Sequence, residues 1–274
     1  MSDSPAQTTV ADVVAVLDRR CPSQLAESWD NTGLLLGCRA EQVSRLMTCL
    51  TLTPDVAAEA VREGVGMVVS HHPILFTGTK RLTDDKPDTA AILELVRAEV
   101  AVYSPHTSFD SAGDGINAWL GRQLGLDGMV PILPSDDSPT IGTGRIGQLP
   151  DGQSLGGLAD RLATVTNQPG LHVVGDESRE VGVLAIACGA AGSLLGDATA
   201  AGADVFLTGE IRFHDALTAR STGIALLIPG HYATERPAVE WLADALGDEL
   251  TGVDCFASRE ESDPLRWRSA DQVC

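Results

Sequence analysis

The stretch Met67-Val68-Val69-Ser70-His71-His72-Pro73 carries an apolar run directly into two adjacent histidines and a proline. The apolar run predicts a short buried strand over Met67–Ser70, with His71 and His72 at its carboxyl end. Histidines collected with carboxylates at strand ends are what a metal centre needs. Imidazole and carboxylate together suit zinc, iron, manganese or nickel.

Short apolar segments alternate with amphipathic segments along the rest of the chain. Thr9 is a predicted N-cap for a helix over Val10–Arg20, and Thr53-Pro54-Asp55 is typical of a second helix start. The fully apolar run Ala225-Leu226-Leu227-Ile228 suits a sheet that is covered on both faces. The alternation predicts an α/β architecture. In such sheets, ligands bind beyond the carboxyl ends of the strands.

The chain is long enough for two lobes, and one stretch is a candidate linker between them. Residues 129–140 are rich in proline, aspartate and serine, as linkers are. We therefore predict an N-terminal α/β lobe over residues 1–128, a linker at about 129–137 and a C-terminal α/β lobe over residues 138–274.

Composition limits the classes of partner. The chain has 19 basic and 38 acidic residues, a formal net charge of −19, and such a surface repels nucleic acids and anionic membranes. No segment reaches the roughly 18 to 20 apolar residues of a membrane span, so we expect a cytoplasmic location. The six cysteines form no Cys-x-x-Cys motif, and we expect nitrogen and oxygen ligands for any metal.

The histidine pair has two interpretations. Adjacent residues of a regular strand point to opposite faces, so His71 and His72 would diverge. Diverging imidazoles suit two ions about 3.5–4 Å apart, with one histidine for each. The alternative is one ligand and one histidine with a core or capping role.

A second motif pairs His106 with Asp110, four residues apart. Asp110 could ligate a metal, with His106 as a ligand or as its support. The alternative is that Asp110 caps the turn entering Gly113-Asp114-Gly115.

Two further pairs, His231 with Glu235 and Glu210 with His214, are also four residues apart. We predict Thr234 as a helix N-cap, which places Glu235 in the first turn and His231 in the preceding loop. A carboxylate there can bridge two ions, or it can be an ordinary acidic residue favoured by the helix dipole. Glu210 and His214 follow a predicted strand, and a surface role for His214 is the alternative.

The order of the motifs is more specific than each motif alone, and the chain resembles the family labelled GTP cyclohydrolase type 2 homologues, also called NIF-three-like dinuclear metal-centre proteins. The resemblance spans about Val10 to Leu250. It rests on Glu27-Ser28-Trp29-Asp30-Asn31-Thr32-Gly33-Leu34-Leu35, Ser70-His71-His72-Pro73, His106-Thr107-Ser108-Phe109-Asp110, Thr208-Gly209-Glu210 with His214, and Gly230-His231 with Thr234-Glu235.

The resemblance implies two α/β lobes with mixed sheets, a site for two divalent ions in the cleft between them, and a toroidal homohexamer. It implies five ligands, with Glu235 touching both ions: His71, His72, Asp110, His231 and Glu235. By the same resemblance, His106, Glu210 and His214 support the ligands or face substrate, and they are our candidate catalytic residues.

The predicted function is metal-dependent hydrolysis of a small molecule, with a nucleotide or a pterin precursor as candidate substrates. His106 or His214 could transfer protons, because histidine titrates near neutral pH. The alternative is a non-catalytic metal-binding scaffold or a metal carrier, although carriers more often expose soft ligands and no cysteine lies in these motifs. The sequence indicates neither an aromatic stacking pocket nor a basic cluster for a triphosphate.

Overall fold

A computed structural model describes residues 7–135 and 138–268. These residues form two compact units, and each is assembled from separate segments of the chain. The first unit comprises residues 7–119, 133–135, 138–143 and 236–261. The second comprises residues 120–132, 144–235 and 262–268.

Strands and helices are numbered along the chain. The strands are β1 (Gly33–Leu36), β2 (Arg45–Cys49), β3 (Met67–Ser70), β4 (Ala101–Ser104), β5 (Asp127–Val130), β6 (Leu133–Ser135), β7 (Ser138–Thr143), β8 (Arg145–Gln148), β9 (His172–Val174), β10 (Val183–Ala187), β11 (Val205–Thr208), β12 (Ala225–Ile228) and β13 (Asp254–Ala257). The α-helices are α1 (Val10–Arg20), α2 (Pro54–Arg62), α3 (Pro87–Arg97), α4 (His106–Ser111), α5 (Ile116–Gln123), α6 (Leu155–Val165), α7 (Leu195–Ala200), α8 (Phe213–Thr222) and α9 (His231–Glu249).

The first unit is built on a sheet with the strand order β1-β4-β3-β2-β13. Neighbouring strands from β4 to β13 run parallel, and β1 is antiparallel at the edge. Met47, Val68 and Val102, one from each central strand, share a buried cluster with Val56 of α2 and Leu95 of α3. Burying apolar side chains of this size contributes roughly 1.5–3 kcal/mol each. Helices α2 and α3 therefore cover one face of the sheet.

The second unit has a sheet with the order β5-β8-β10-β11-β12-β9. Its centre, β10 to β12, is parallel, and the outer strands are antiparallel. Ala185, Phe206 and Leu226 of the central strands pack with Ala198 of α7 and Ala219 of α8. Both sheets are mixed and are packed against helices, so the predicted α/β class is confirmed.

The predicted lobes, residues 1–128 and 138–274, stay a prediction. The compact units divide the chain differently, because β13 pairs in parallel with β2 and residues 236–261 belong with the first unit. Strand β6, inside the predicted linker at 129–137, pairs with β7. Asp136 and Asp137 lie outside the described residues.

Helix starts follow the local sequence signals in two cases. Helix α1 has the bounds that were predicted, and a reciprocal capping box joins Thr9 to Asp12. Helix α2 begins at Pro54, with the Thr53 hydroxyl accepting from the N–H of Val56. Within the described residues, none of the helices is both long and apolar enough to cross a membrane.

A buried carboxylate joins α2 to the chain that follows β13. Glu59 is 2% exposed and accepts hydrogen bonds from the Ser258 hydroxyl and from the N–H groups of Arg259 (2.9 Å) and Glu260 (3.3 Å). Burial raises the pKa of Glu59, but these hydrogen bonds outweigh it and hold the pKa below its ordinary value.

We expect Glu59→Gln to lower the free energy of unfolding by about 2 kcal/mol at pH 7, because hydrogen bonds to a charged group are lost. The folded pKa is depressed, so the stabilisation is present above the ordinary pKa of 4.5 and disappears as pH falls through the folded value. Thermal unfolding followed by circular dichroism should show the difference between wild type and variant shrinking in acid. The exposed Glu41→Gln is the control; equal melting temperatures at pH 7 for Glu59→Gln and wild type would contradict the expectation.

Candidate metal centre

The two adjacent histidines lie just beyond the end of β3. The N–H of His71 donates to the carbonyl of Cys49 (2.9 Å), and the N–H of His72 donates to the carbonyl of Leu50 (2.8 Å). Successive N–H groups of a regular strand point to opposite sides, whereas these two bond to consecutive carbonyls. The imidazole centroids lie 5.2 Å apart with an interplanar angle of 49°. The chain leaves the regular strand at Ser70, so the two rings do not diverge as they would on a continued strand.

His106 joins this pair from the neighbouring strand. It begins α4, directly after β4, with a φ of +29° in the left-handed region. Its ring centroid lies 5.4 Å from that of His71 and 5.7 Å from that of His72. The three histidines offer ligand atoms that all lie within 4.8 Å of one another. We call His71, His72 and His106 the three-histidine group.

Asp30 holds the ring of His106. Its side chain is fully buried, and Oδ1 lies 2.7 Å from His106 Nδ1. Oδ2 accepts from the N–H of Thr107 at 3.1 Å. Burial raises the pKa of Asp30, but hydrogen bonds from Thr107 and His106 outweigh it and leave the pKa below its usual value. The ionised carboxylate accepts, so the neutral tautomer with the proton on Nδ1 is favoured, and its Nε2 lone pair is available to a metal ion.

A longer chain of hydrogen bonds supports His72. The Thr51 hydroxyl lies 2.8 Å from His72 Nδ1. The N–H groups of Leu50 and Thr51 donate to the two oxygens of Glu261, at 2.9 and 2.6 Å. Arg236 Nε lies 2.8 Å from the same carboxylate. Burial raises the pKa of Glu261, and these N–H groups act against that rise. Glu261 thus positions the loop that carries Thr51.

Asp110 lies beside the three-histidine group. It stands one helical turn after His106 on α4, and its Oδ1 is 3.6 Å from His71 Nε2. Its side chain is 26% exposed, and its backbone carbonyl accepts from the Asn117 amide at 3.0 Å. The side chain therefore reaches His71, while the backbone carbonyl serves the turn that follows.

In the second unit, His231 and Glu235 pair at the start of α9. The predicted helix start at Glu235 is wrong, because α9 begins at His231. Thr234 does not cap the helix: its hydroxyl donates to the carbonyl of His231 (2.8 Å) and accepts from the N–H of Gly189 (3.0 Å). His231 and Glu235 consequently stand one turn apart on the same helix face.

The ring of His231 is held between two carboxylates. Nε2 lies 3.0 Å from Glu235 Oε2, and Nδ1 lies 2.9 Å from Glu210 Oε1. The hydrogen bond with Glu235 is the largest cause that raises the pKa of His231 to about 9, and Glu210 adds to the rise. Glu235 is 4% exposed, and a buried carboxylate needs a positive partner. Either a protonated imidazole or a bound divalent ion can supply that charge.

Two glycines that the sequence analysis does not select make room for this pair. A Cβ on Gly189 would lie 2.2 Å from Glu235 Oε1, and Gly189 has a φ of +67°. A Cβ on Gly209 would lie 2.8 Å from His231 Cα. Each glycine follows shortly after a parallel strand, β10 or β11. Their position just after mainly apolar strands is the signal that could have found them.

The other candidate catalytic residues differ in position. Glu210 contacts His231 directly, with its side chain 59% exposed. His214 lies in the first turn of α8, exposed, with its ring against that of Phe213. In the described part of the chain, His214 contributes to no metal-binding group.

The donor set fits borderline divalent ions. Imidazole nitrogens with carboxylate oxygens suit zinc, iron, manganese or nickel. The carboxylate behind His106 supplies the hydrogen bond that metal-ligating histidines almost always make. Asp30, Thr51 and Glu261 are supporting residues that spacing alone does not predict; Asp30 lies inside the quoted Glu27–Leu35 motif, but its pattern predicts only a turn.

Comparisons with known proteins place most of the chain in one family. The model of the Duf34/NIF3 (NGG1p interacting factor 3) family matches residues 8–264. The chain is 30% identical to "GTP cyclohydrolase 1 type 2 homolog" of Clostridium acetobutylicum, covering 94% of this chain and 98% of the relative. It is 32% identical to "Protein NIF3 homolog" of Schizosaccharomyces pombe, covering 88% and 92%.

Solved structures show the same fold. A hypothetical protein of Staphylococcus aureus superposes with a TM-score of 0.87 at 26% identity, covering 96% of this chain and all of that one. "Reduced HcgD" of Methanocaldococcus jannaschii superposes with a TM-score of 0.79 at 23% identity, covering 93% and 99%. With a family model that matches nearly its whole length, the chain belongs to the Duf34/NIF3 family.

Proposed function

We propose that this protein binds two divalent metal ions and uses them to hydrolyse a small molecule. The observation that carries the proposal is the three-histidine group, whose ligand atoms lie within 4.8 Å of one another and whose His106 is held by buried Asp30. The proposed ligands are His71, His72, Asp110, His231 and Glu235. His106, predicted as a catalytic or supporting residue, lies where a ligand would.

Two divalent ions supply a Lewis acid and a nucleophile at neutral pH, which is the chemistry that hydrolysis needs. The chain's own residues orient the ligands and handle protons. Asp30 keeps the proton of His106 on Nδ1, and Thr51 engages Nδ1 of His72. Each contact directs the other ring nitrogen, Nε2, away from the supporting residue.

Glu210 is the best-placed proton carrier of the proposed reaction. It is 59% exposed and is hydrogen-bonded to His231 Nδ1, so it connects a ligand to solvent. A carboxylate in that position can hold the Nδ1 proton of His231 in place and exchange protons with water at its exposed side. His214 lies apart from this contact and has the weaker case as an acid or base.

Several relatives share the name GTP cyclohydrolase 1 type 2 homolog, which supports a hydrolytic reaction and suggests GTP as the first substrate to test. The toroidal homohexamer, the cytoplasmic location and the identity of the metal stay predictions. The rival function is a metal-binding scaffold or carrier without turnover, and measuring turnover beside metal content separates the two.

Metal content is the first test. Elemental mass spectrometry of the purified protein should give about two transition-metal equivalents per chain, as in two-metal hydrolases. The His71→Ala/His72→Ala variant should lose most of that metal, because the three-histidine group is broken. His172→Ala, an exposed histidine of β9, is the control and should retain it. Metal content below one equivalent in wild type, unchanged in the double variant after metal is added, would refute the metal site.

Turnover is the second test. Metal-loaded wild type should convert GTP, followed by chromatography of the product. Glu235→Ala should lose metal and at least about 100-fold in rate, because even supporting residues of metal sites are worth 10–100-fold. Asp244→Ala, an exposed carboxylate of the same helix, is the control. Full metal content in Glu235→Ala would contradict its role as a ligand, and bound metal without turnover in wild type would favour the scaffold.

Gly189 offers a steric test of the second-unit pair. Gly189→Ala should weaken metal affinity at least about tenfold, because its Cβ would collide with the Glu235 carboxylate. Gly202→Ala is a matched control, since Gly202 also has a positive φ, of +83°, but its Cβ would meet no heavy atom within 4 Å. Metal titration of both variants should separate the collision from backbone strain. Equal affinity in the two variants would show that Gly189 does not act through Glu235.

A further inference from the structure

A cleft beside His72 lies entirely within the first unit. It has a volume of about 940 Å³. Its walls are the chain that runs on from His72 through residues 73–83 and the start of α3. His72 is therefore both a proposed ligand and a wall of a cavity large enough for a small organic molecule.

The cleft collects positive charge in a strongly acidic protein. Lys80, Arg81 and Lys86 line it, and Lys80 and Lys86 are both of the lysines in the chain, whose net charge is −19. None of the three forms an ion pair with a carboxylate among the described residues. Of the two aspartates that also line the cleft, Asp85 already accepts a hydrogen bond from the Thr83 hydroxyl.

The sequence alone does not indicate this cluster, because Lys86 is separated from Lys80-Arg81 by four residues that include two aspartates. The fold places all three side chains around one cavity. An acidic surface repels anions, so a basic cleft within it becomes the place where an anionic molecule is concentrated.

Two exposed aromatic rings lie near the same histidines. Phe76, a wall of the cleft, is 50% exposed, and Trp29 is 59% exposed. Their rings pack edge to face with centroids 6.0 Å apart. Each ring also packs edge to face with that of His106; the centroid distance is 6.1 Å for Trp29 and 6.2 Å for Phe76. Exposed aromatic rings offer an apolar surface to the uncharged part of a ligand.

We propose that this cleft binds a small molecule that carries phosphate groups, with the phosphates on Lys80, Arg81 and Lys86 and the rest directed toward His72. Several separate cations suit a ligand with several charged oxygens, whereas one carboxylate needs only a single arginine fork. The inference rests on the proposed function, because the molecule would be the substrate of the metal centre.

The test measures pyrophosphate binding by isothermal titration calorimetry. The full chain is titrated after chelation of metal, so that only side chains bind the anion, and again with metal restored. Lys80→Ala/Lys86→Ala should weaken binding to the chelated protein by about tenfold or more. The control is Arg39→Ala/Arg97→Ala, which removes the same charge from exposed positions outside the cleft and should stay within about twofold of wild type.

Each contrary outcome overturns the proposal. Absence of pyrophosphate binding by wild type, wild-type affinity in the lysine variant, or an equal loss in the arginine control would show that the cleft is not the site. Equal affinity for succinate, a dianion without phosphate, would overturn the phosphate assignment. Metal content is measured on the samples to which metal is restored: a wild type that takes up no metal but retains lysine-dependent pyrophosphate binding would refute the metal centre and leave the cleft standing.

Discussion

The parallel pairing of β2, β3 and β4 is the constraint on which the first-unit site depends. Cys49 pairs with Ser70, and Val69 pairs with Tyr103. Parallel strands in this register bring their carboxyl ends to one edge of the sheet. The residues that follow the three strands are then neighbours. They are Thr51 after β2, the histidine pair after β3 and His106 after β4. The three histidines therefore lie within two residues of the end of their strand.

Buried carboxylates hold that edge in place. Asp30, Glu59 and Glu261 each accept hydrogen bonds from backbone N–H groups far away in the sequence. Such bonds cost desolvation when they form, and removing one partner leaves a buried charge without compensation. Asp30 therefore acts on the first turn of α4, whereas Glu59 and Glu261 act on the loops after β13 and β2. Asp30 contacts His106 directly, and Glu261 acts on His72 through Thr51.

Local signals predicted much of the fold, and distant contacts explain what they missed. The capping box of α1 and the strand Met67–Ser70 were readable because short-range patterns determine them. The start of α9 was not, since Thr234 resembles an N-cap but its hydroxyl bonds to Gly189, 45 residues away. Glu261 supports Thr51 across 210 residues, and the basic cleft emerges only when a loop folds around a cavity. The candidate ligands could be recognised in the sequence by their residue types, whereas the residues that support them could not.

The position of Glu261 in the chain has a consequence for the order of events during synthesis. A ribosome releases Thr51 and His72 long before it makes Glu261, which follows β13 near the end of the first unit's last segment. The hydrogen bonds that position Thr51 beside His72 therefore cannot form until the ribosome has made Glu261. The histidines emerge early, but the contact that orients His72 is completed only after Glu261 has been made, so the proposed metal site is complete only then.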